Sequence, residues 1–464
     1  MGLKMIKKLF EEKEIKLFAG IALLLGTVML FLISPWQIPD EATHLYLIGY
    51  HMDNLEFSSK LTQSLGMDQG RIEWTISEKT NMEQMLQAMI KKPDYSISEM
   101  LPNVLSLNMI KYFPAILGME LAIILQLPTF WVLHLGELCS LLVYVLICSG
   151  ALKVCPFKKQ IMAIFMLSPM MMQQAGSYSY DALAIPLMFW IICYVLYLRY
   201  EKESINLKDI LLLVVPWIFV TYIKVPYVMV VLLGLMLPLE KFQVKLGRLE
   251  INEKFIKKVR WPLLVVVIVA IAVVIYVFRN NPWIQILYGV VAEFPRTLYL
   301  LYSTVRNFAG HLIVSSVGNF GWLNAPVSNA FGVAFYIALF VFAIVLKDGS
   351  AKKMTKWDRT VIWVTFLSLT LLTVFSMIHH TIMMVLYGSE SAPYTYNIRQ
   401  ALYWIPYIGG LQGRYFMPFI SLFFMQVGSV QLLNEKKTKI VVGVFAAVVY
   451  VYVGNILLNR FWIG

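Results

Sequence analysis

Long uninterrupted runs of apolar residues constrain this chain more than any other feature of its sequence. The runs are roughly 15–25 residues long, which is about the length that an α-helix needs to cross a bilayer. Hydrophobic residues make up 59% of the chain and charged residues only 14%, a composition that excludes an ordinary soluble domain and a disordered chain. The short alternating segments typical of barrel strands are absent. The sequence therefore predicts an all-α polytopic membrane protein.

About eleven segments have the length and apolar character of membrane-spanning helices. They are Leu17–Pro35, Thr129–Leu152, Gln160–Ala175, Ala182–Leu198, Asp209–Ile223, Val225–Leu239, Trp261–Phe278, Phe331–Leu346, Val361–Leu386, Tyr415–Leu433 and Ile440–Leu458. A further apolar stretch, Pro114–Leu127, is only about 14 residues long, so we expect it to be re-entrant or to lie on the membrane surface. The first apolar stretch has no small-residue cleavage pattern after it, which favours a retained anchor over a signal peptide.

Lysine and arginine residues orient these spans, because they concentrate on the cytoplasmic side of membrane proteins. The N-terminus and every second loop are rich in Lys and Arg, and the richest loop is Lys241–Arg260. The segment Pro39–Tyr112 instead carries ten acidic and six basic residues. We therefore expect a single transmembrane domain, 1–464, with a cytoplasmic N-terminus and two long outer loops, 36–128 and 279–330. Residues Asn81–Ile90 have helical apolar spacing, which predicts an interfacial helix in the first loop.

The net charge of +12 does not indicate nucleic-acid binding. The basic residues lie in short loops between apolar runs, where they meet anionic lipid head groups, and no basic face stands clear of the membrane. Four cysteines lie in or beside apolar segments without a CxxC or metal-ligand spacing, so we interpret them as small buried hydrophobic residues. The expected surroundings are membrane lipids.

Asp40 and Glu41 are the strongest candidates for a chemical role. They follow the first span directly, and two adjacent carboxylates at the mouth of an apolar helix are costly to desolvate. The alternative for Asp40 is a helix cap, since Asp often accepts hydrogen bonds from the free amides of a helix start. On a helix the two side chains point about 100° apart, so one is expected to act as a base while the other assists it.

Polar residues from distant parts of the sequence are expected on the same outer side. Asp181 precedes a span, Lys224 lies in a turn between two spans, Arg414 opens the tenth span, and Trp322 lies in the second long loop. An interfacial carboxylate can accept a proton from a sugar hydroxyl, and cationic side chains stabilise charge on a departing phosphate. Structural roles stay open: capping for Asp181, snorkelling for Lys224, an ion pair or acidic lipid for Arg414, and membrane anchoring for Trp322.

Histidines and one further acidic residue give weaker signals. His44 stands four residues after Asp40 and three after Glu41, so these three side chains can share a helix face; a divalent metal there is left open, because a bare D-E-x-x-H pattern is not specific. No metal ligand set is assigned. His379 and His380 lack a partner at ligand spacing and are interpreted as structural. Glu137 lies inside a span and is expected to be paired within the bundle.

The sequence resembles the DUF2142 family of bacterial membrane proteins over nearly its whole length. Five blocks carry the resemblance, in chain order: Pro39–His44, Ser177–Asp181, Lys224–Tyr227, Gly318–Trp322 and Gln412–Phe416. Here Ile38 and Ala42 stand where that family often has proline. The family in turn is similar to the GT-C glycosyltransferases, which have many helices, an acidic catalytic residue after the first helix and polyprenyl-phosphate-linked donors.

That resemblance implies a GT-C-like bundle and an inverting glycosyltransferase that acts on a cell-surface glycan or a lipid carrier outside the bacterial plasma membrane. Asp40 is then the base and Glu41 its assistant. The implied substrate and phosphate contacts are Lys224, Arg414, Gln412, Asp181, Tyr227, Trp322 and His44. Two alternatives stay open: an oligosaccharide polymerase or ligase, and a non-enzymatic transporter or flippase of lipid-linked glycans. The sequence leaves the sugar, the acceptor, the metal requirement and the oligomeric state open.

Overall fold

The computed structural model describes residues 9–33, 37–54, 57, 79, 82–92, 95–100, 102, 106–246, 249–346, 354–387 and 398–463. Parts of the expected first outer loop and the inner loop residues 347–353 lie outside the described residues. Within the described residues the chain is mostly helical, which confirms the all-α class. The β-structure there consists of two antiparallel hairpins, β1 (Gln243–Leu246) with β2 (Leu249–Asn252) and β3 (Asn319–Phe320) with β4 (Ala325–Pro326).

The α-helices are numbered in chain order. They are α1 (Lys13–Leu32), α2 (Glu41–His51), α3 (Met82–Ile90), α4 (Ile97–Met100), α5 (Phe113–Ile124), α6 (Thr129–Val154), α7 (Lys159–Met166), α8 (Pro169–Ala175), α9 (Asp181–Tyr200), α10 (Leu207–Ile223), α11 (Glu253–Val277), α12 (Pro282–Ala292), α13 (Phe294–Val317), α14 (Asn329–Val345), α15 (Lys356–Tyr387), α16 (Ile398–Trp404), α17 (Met417–Met425) and α18 (Glu435–Phe461). Four 3-10 helices join them: Leu107–Tyr112, Val225–Met236, Leu239–Lys241 and Gly413–Tyr415.

Among the described residues, seven helical segments are long and apolar enough to cross a membrane. They are Lys13–Leu32, Leu107–Ile124, Thr129–Val154, Asp181–Tyr200, Glu253–Val277, Lys356–Leu386 and Glu435–Phe461. Shorter apolar helices occupy Val225–Met236, Pro282–Ala292 and Asn329–Val345. The chain is therefore a membrane protein with several spanning helices, and the helix expected in the first loop is present as α3.

Several segments expected to be single helices take another form. The segment Gln160–Ala175 is divided into α7 and α8, because the residue before Pro169 is extended and a proline disfavours helical geometry in the residue that precedes it. The segment Val225–Leu239 is a 3-10 helix over Val225–Met236, with Pro226 in its first turn. The expected span Tyr415–Leu433 is a helix only over Met417–Met425. The apolar stretch Pro114–Leu127 joins the preceding 3-10 turn to form an 18-residue segment.

The bundle is centred on α6, which packs against α1, α5 and α9. Glycine makes the closest of these contacts: a β-carbon on Gly118 of α5 would overlap the carbonyl group of Leu135 in α6. A large cluster of buried apolar side chains runs through α1 and α6 to α9, and a second, smaller cluster lies beneath α2 and α5. Because both clusters abut α6, they fix where α2 begins relative to the bundle.

A second glycine seats the turn that contains Arg414. A β-carbon on Gly413 would overlap the carbonyl oxygen of Leu312 in α13, so the turn approaches that helix at the closest possible distance. The backbone N–H of Gly413 donates to the Ser315 hydroxyl at 2.8 Å. The position of Arg414 is therefore set by the end of α13.

Candidate functional site

A cleft of about 260 Å³ opens where α2 and α9 begin and where α10 ends. Its polar lining residues include Asp40, His44, Asp181, Lys224 and Arg414. Its apolar lining residues, called the apolar wall below, include Ile223, Val225, Pro226, Trp283 and Met377. The structure thus brings together five of the nine residues that the sequence nominates as site residues, from segments nearly 400 positions apart.

Asp40 stands at the N-cap position of α2 but does not cap the helix. Its side chain makes no capping hydrogen bond, and its φ angle of 66° lies in the left-handed region, which non-glycine residues rarely adopt. The side chain is 60% exposed and one oxygen lies 4.0 Å from Nη2 of Arg414. Because backbone strain of this kind persists where structure over-determines it, often at functional sites, the capping alternative is not supported and Asp40 faces the cleft.

Asp181 and Lys224 form the most tightly paired charges in the cleft. Lys224 Nζ lies 2.7 Å from Oδ1 of Asp181, and the two side chains are 15% and 7% exposed. Since Lys224 is paired and largely buried, the snorkelling alternative does not describe it. A ladder of hydroxyl groups builds the turn before Asp181: the N–H of Asp181 donates to Ser179 Oγ, and the N–H of Ser179 donates to Ser177 Oγ.

Arg414 is a buried guanidinium with incomplete pairing. Its side chain is 6% exposed, its contact to Asp40 is long at 4.0 Å, and its Nε has no hydrogen-bond partner among the described residues. The central carbon of its guanidinium group lies 5.4 Å from the ring centroid of Tyr415. Burial opposes its charge, yet nearby Tyr415, Asp181 and Asp40 hold the pKa of Arg414 above its ordinary value. An unsatisfied buried cation is costly, so this group is suited to receive an anion.

Three tyrosine rings surround the ammonium group of Lys224. Nζ lies 4.6 Å from the ring centroid of Tyr415, 5.4 Å from that of Tyr227 and 5.9 Å from that of Tyr180. Tyr227 is buried, does not line the cleft, and donates its hydroxyl to the backbone oxygen of Tyr415 at 3.1 Å. Its role is therefore to hold the Arg414 turn against the start of the 3-10 helix Val225–Met236, without itself lining the cleft.

His44 is buried beside the cleft in its neutral form. Nδ1 lies 3.1 Å from the Tyr112 hydroxyl, and the ring stands edge-on to Tyr180 with centroids 4.9 Å apart. Burial lowers the pKa of His44 to about 4, which outweighs the opposing effects of Asp181 and Asp40. An imidazole that is neutral near pH 7 can accept or donate a hydrogen bond without adding charge.

The apolar wall includes a feature that sequence reasoning missed. Trp283 stacks on His379 with centroids 3.5 Å apart and ring planes 6° apart. Trp283 lines the cleft and is 43% exposed. The one available signal was that Asn281 and Pro282 start a helix immediately before Trp283, which fixes the ring at a helix start.

Besides Tyr227, three nominated residues do not line the cleft. Glu41 is 2% exposed and lines a separate small cavity with Glu137. Gln412 is buried behind the Arg414 turn, and its Oε1 has no partner among the described residues. Trp322 lies in the β3–β4 turn, where neighbouring Gly321 packs against Phe461 of α18. The expectation that Asp40 and Glu41 share one site is therefore not met.

The possible metal site in the D-E-x-x-H segment can be compared with these positions. His44 lines the cleft, whereas Glu41 lines the other cavity, so the three side chains do not share a face. Within the part of the chain that the structure describes, no three His, Cys, Asp or Glu side chains are grouped closely enough to hold a metal ion.

The fold and this cleft define a polytopic helical membrane protein whose paired charges meet an apolar wall between helix ends. A family model described as "Predicted membrane protein (DUF2142)" matches residues 23–423, and the chain belongs to that family. The matched region contains every residue of the cleft. No curated protein and no solved structure matches the chain significantly.

Proposed function

We propose that the protein is a membrane glycosyltransferase that takes sugar from a polyprenyl-phosphate-linked donor on the extracytoplasmic side of a bacterial plasma membrane. The proposal includes a GT-C-like bundle of about eleven spans with a cytoplasmic N-terminus, as the distribution of Lys and Arg favours. The observation that carries it is the buried guanidinium of Arg414, incompletely paired and facing the same cleft as Asp40 and Lys224. The acceptor is a cell-surface glycan or a lipid carrier.

A phosphate group would supply the hydrogen-bond acceptors that the incompletely paired Arg414 lacks. The planar fork of Arg414 suits two phosphate oxygens at once, and a guanidinium is charged at any physiological pH. Lys224 lies in the same cleft but is already paired with Asp181 at 2.7 Å. Arg414 is therefore the main phosphate contact, while Lys224 contributes a nearby positive charge.

The apolar wall suits the lipid part of the same donor. Ile223, Val225 and Pro226 continue from the charged side of the cleft along the break after α10. Isoprenoid carbon chains gain free energy by leaving water for such surfaces. Trp283 adds an aromatic ring to the same lining. A ligand with an anionic head, a sugar and a hydrocarbon tail thus matches the kinds of residue that line the cleft.

The transfer step would be a single displacement. Asp40 accepts the proton of the acceptor hydroxyl as that oxygen forms a bond to the anomeric carbon. The bond between the anomeric carbon and the phosphate oxygen breaks, and its electron pair stays on the phosphate, where Arg414 stabilises the added charge. The configuration at the anomeric carbon is inverted. The 60% exposure of the Asp40 side chain leaves room for an acceptor to approach it.

A second candidate function has its own supporting observation. Glu137, inside α6, is not isolated: its Oε2 lies 2.7 Å from His134 Nδ1, and it lines a small cavity together with Glu41. Ionisable clusters inside spans are typical of proton-coupled transporters. A flippase for lipid-linked glycans would use this cluster, whereas a transferase would use the Asp40 cleft.

An assay of purified protein in detergent distinguishes the two functions. A flippase has no two membrane sides between which to move lipid in detergent, and it forms no new covalent product. The assay mixes polyprenyl-phosphate sugars with candidate acceptors and records product mass. A mass gain of one sugar supports the proposal, and a gain of a whole oligosaccharide points to a polymerase or ligase. Surface glycans of a deletion strain, compared by mass spectrometry, supply the candidate sugars and acceptors. Tight binding of donors with no product from any pair, together with lipid translocation in vesicles, would favour the flippase.

A further inference from the structure

The small cavity beside Glu41 is a second polar site, separate from the cleft. It has a volume of about 10 Å³ and is lined by Glu41, Glu137 and Gln173 together with apolar residues of α1 and α8. These three side chains come from α2, α6 and α8 and are 2–5% exposed. No role follows for them from the transfer chemistry.

Two acidic side chains line this cavity. Glu41 and Glu137 both border its volume of about 10 Å³, and both are buried. Ionised carboxylates only accept hydrogen bonds, so a hydrogen bond between these two groups requires a proton on one of them. Like charges at such close range inside a bundle cannot both persist without a counter-ion. The pair therefore requires one bound proton or one bound cation.

The amide group of Gln173 is an independent indication that a polar molecule occupies the cavity. Both the oxygen and the nitrogen of its amide are buried, and neither has a hydrogen-bond partner among the described residues. A buried amide without hydrogen-bond partners destabilises the folded state. A cavity of about 10 Å³ is close to the smallest that can hold one water molecule. One water bound there can donate to the amide oxygen and accept from the amide nitrogen.

His134 extends the cluster on the other side of Glu137. Its Nδ1 lies 2.7 Å from Glu137 Oε2, and its ring packs against Phe130 and Phe31 at centroid distances of 4.1 and 5.1 Å. A neutral imidazole that donates from Nδ1 satisfies this oxygen of Glu137 and leaves the other oxygen for Glu41. The three titratable groups thus form one buried cluster around Glu137.

We propose that Glu41 and Glu137 form a buried proton-binding site, in which one proton is shared by the two carboxyl groups beside a single enclosed water. The site ties the first turn of α2 to α6. Because Asp40 directly precedes Glu41 and is held at a φ angle of 66°, this link positions the strained residue that faces the cleft. Glu41 is accordingly a positioning residue.

Infrared spectroscopy tests this site without any substrate. Protein is purified in a detergent that contains no ester groups, at pH 7, so that carbonyl bands of protonated carboxylic acids are not masked. The wild type should show such a band, and the double variant E41Q/E137Q should lose it. The exposed Glu240 provides the matched control, because E240Q should leave the band in place.

Two further measurements decide between a proton with water and other occupants. Q173L removes the amide that would bind the water, so the carbonyl band should shift; an unshifted band would overturn the enclosed water. Replacing choline with sodium at constant ionic strength should leave the melting temperature unchanged. A rise with sodium that E41Q/E137Q abolishes would show a cation site and would overturn the shared proton, as would identical carbonyl spectra of wild type and double variant. These outcomes are independent of the transferase proposal, since no donor or acceptor is present.

Discussion

Asp40 and Glu41 are adjacent in sequence and occupy opposite environments. The Asp40 side chain is 60% exposed and faces a cleft of about 260 Å³ with an incompletely paired arginine. Glu41 is 2% exposed and faces a cavity of about 10 Å³ with a second carboxyl group. The left-handed backbone at Asp40 and the helix that begins at Glu41 separate them. A pair of like residues thus supplies one group suited to react and one suited to hold the structure.

The largest expected effect concerns this pair directly. D40N should lower the rate of sugar transfer by about 10²–10⁴-fold, the contribution typical of a general base, with donor affinity nearly unchanged. E41Q keeps a hydrogen-bonding group in the buried cavity and should lower the rate by less than about tenfold. Initial rates at saturating donor check both variants, and D53N, at an exposed acidic residue just after α2, is the matched control.

Equal losses in D40N and E41Q would break the comparison, because they would mean that both carboxylates act in one step. Unchanged transfer in D40N would remove the assignment of the base. Circular dichroism and size-exclusion profiles of each variant establish that membrane insertion and folding are retained.

His44 should make stability fall in mild acid. Burial lowers its pKa to about 4 in the folded protein, against an ordinary value of 6.5. The unfolded chain therefore takes up a proton near pH 6.5 that the folded protein refuses until near pH 4. The contribution of neutral His44 to the free energy of unfolding is fully present above pH 6.5. It is lost, by up to about 3 kcal/mol, as the pH drops through this window.

Melting temperatures between pH 7.5 and pH 4 measure this effect in detergent. H44Q should show a shallower decline than the wild type, since glutamine does not titrate. If the melting temperatures of wild type and H44Q fell in parallel, other groups would cause the loss, and His44 would not be held neutral by burial beside the cleft.

Arg414 should govern donor binding. R414K retains the positive charge but loses the planar fork, so affinity for polyprenyl phosphate should fall by about 10–100-fold, as expected when a charged hydrogen bond worth about 1.5–3 kcal/mol is lost. Lipid binding measured by native mass spectrometry reports this change. R279A, at an exposed arginine beside α11, serves as the control. Equal affinity of R414K and wild type would place the phosphate elsewhere.

The smallest expected effect belongs to Trp283. W283A should reduce the apparent affinity for a sugar-bearing donor by about 3–10-fold, consistent with an aromatic contact of about 0.5–1.5 kcal/mol, and W283F should recover part of it. Competition between the sugar-bearing donor and bare polyprenyl phosphate separates the sugar contact from the lipid contact. A loss of the same size for both ligands would assign Trp283 to the lipid alone.

Sequence reasoning reached the polar half of the cleft and missed its geometry. Apolar run length predicted the long helices, because a span of about 20 residues has few alternatives. The blocks around Asp40, Asp181, Lys224 and Arg414 were recognisable as polar interruptions of apolar segments. Glu41 was assigned to the same site because helical spacing alone does not reveal the left-handed residue before it. The stacked Trp283 and His379 are 96 positions apart, and such a pairing depends on tertiary packing.

Helix breaks and the packing of turns depend on signals of different range along the chain. The separation of α7 from α8 follows from Pro169, a local signal. By contrast, the seating of Gly413 against Leu312 is set by the approach of two distant segments. Local chemistry thus predicts where a helix stops, whereas the position of Arg414 depends on contacts between elements far apart in the chain.

The most direct measurement is a cryo-electron microscopy structure of the protein in lipid nanodiscs with polyprenyl monophosphate. The account predicts phosphate density within hydrogen-bonding distance of the Arg414 guanidinium, with the isoprenoid chain leaving past Val225 and Pro226 and with Asp40 open to the opposite side. Phosphate density at another part of the membrane domain, with the Arg414 cleft unfilled at saturating lipid, would contradict it.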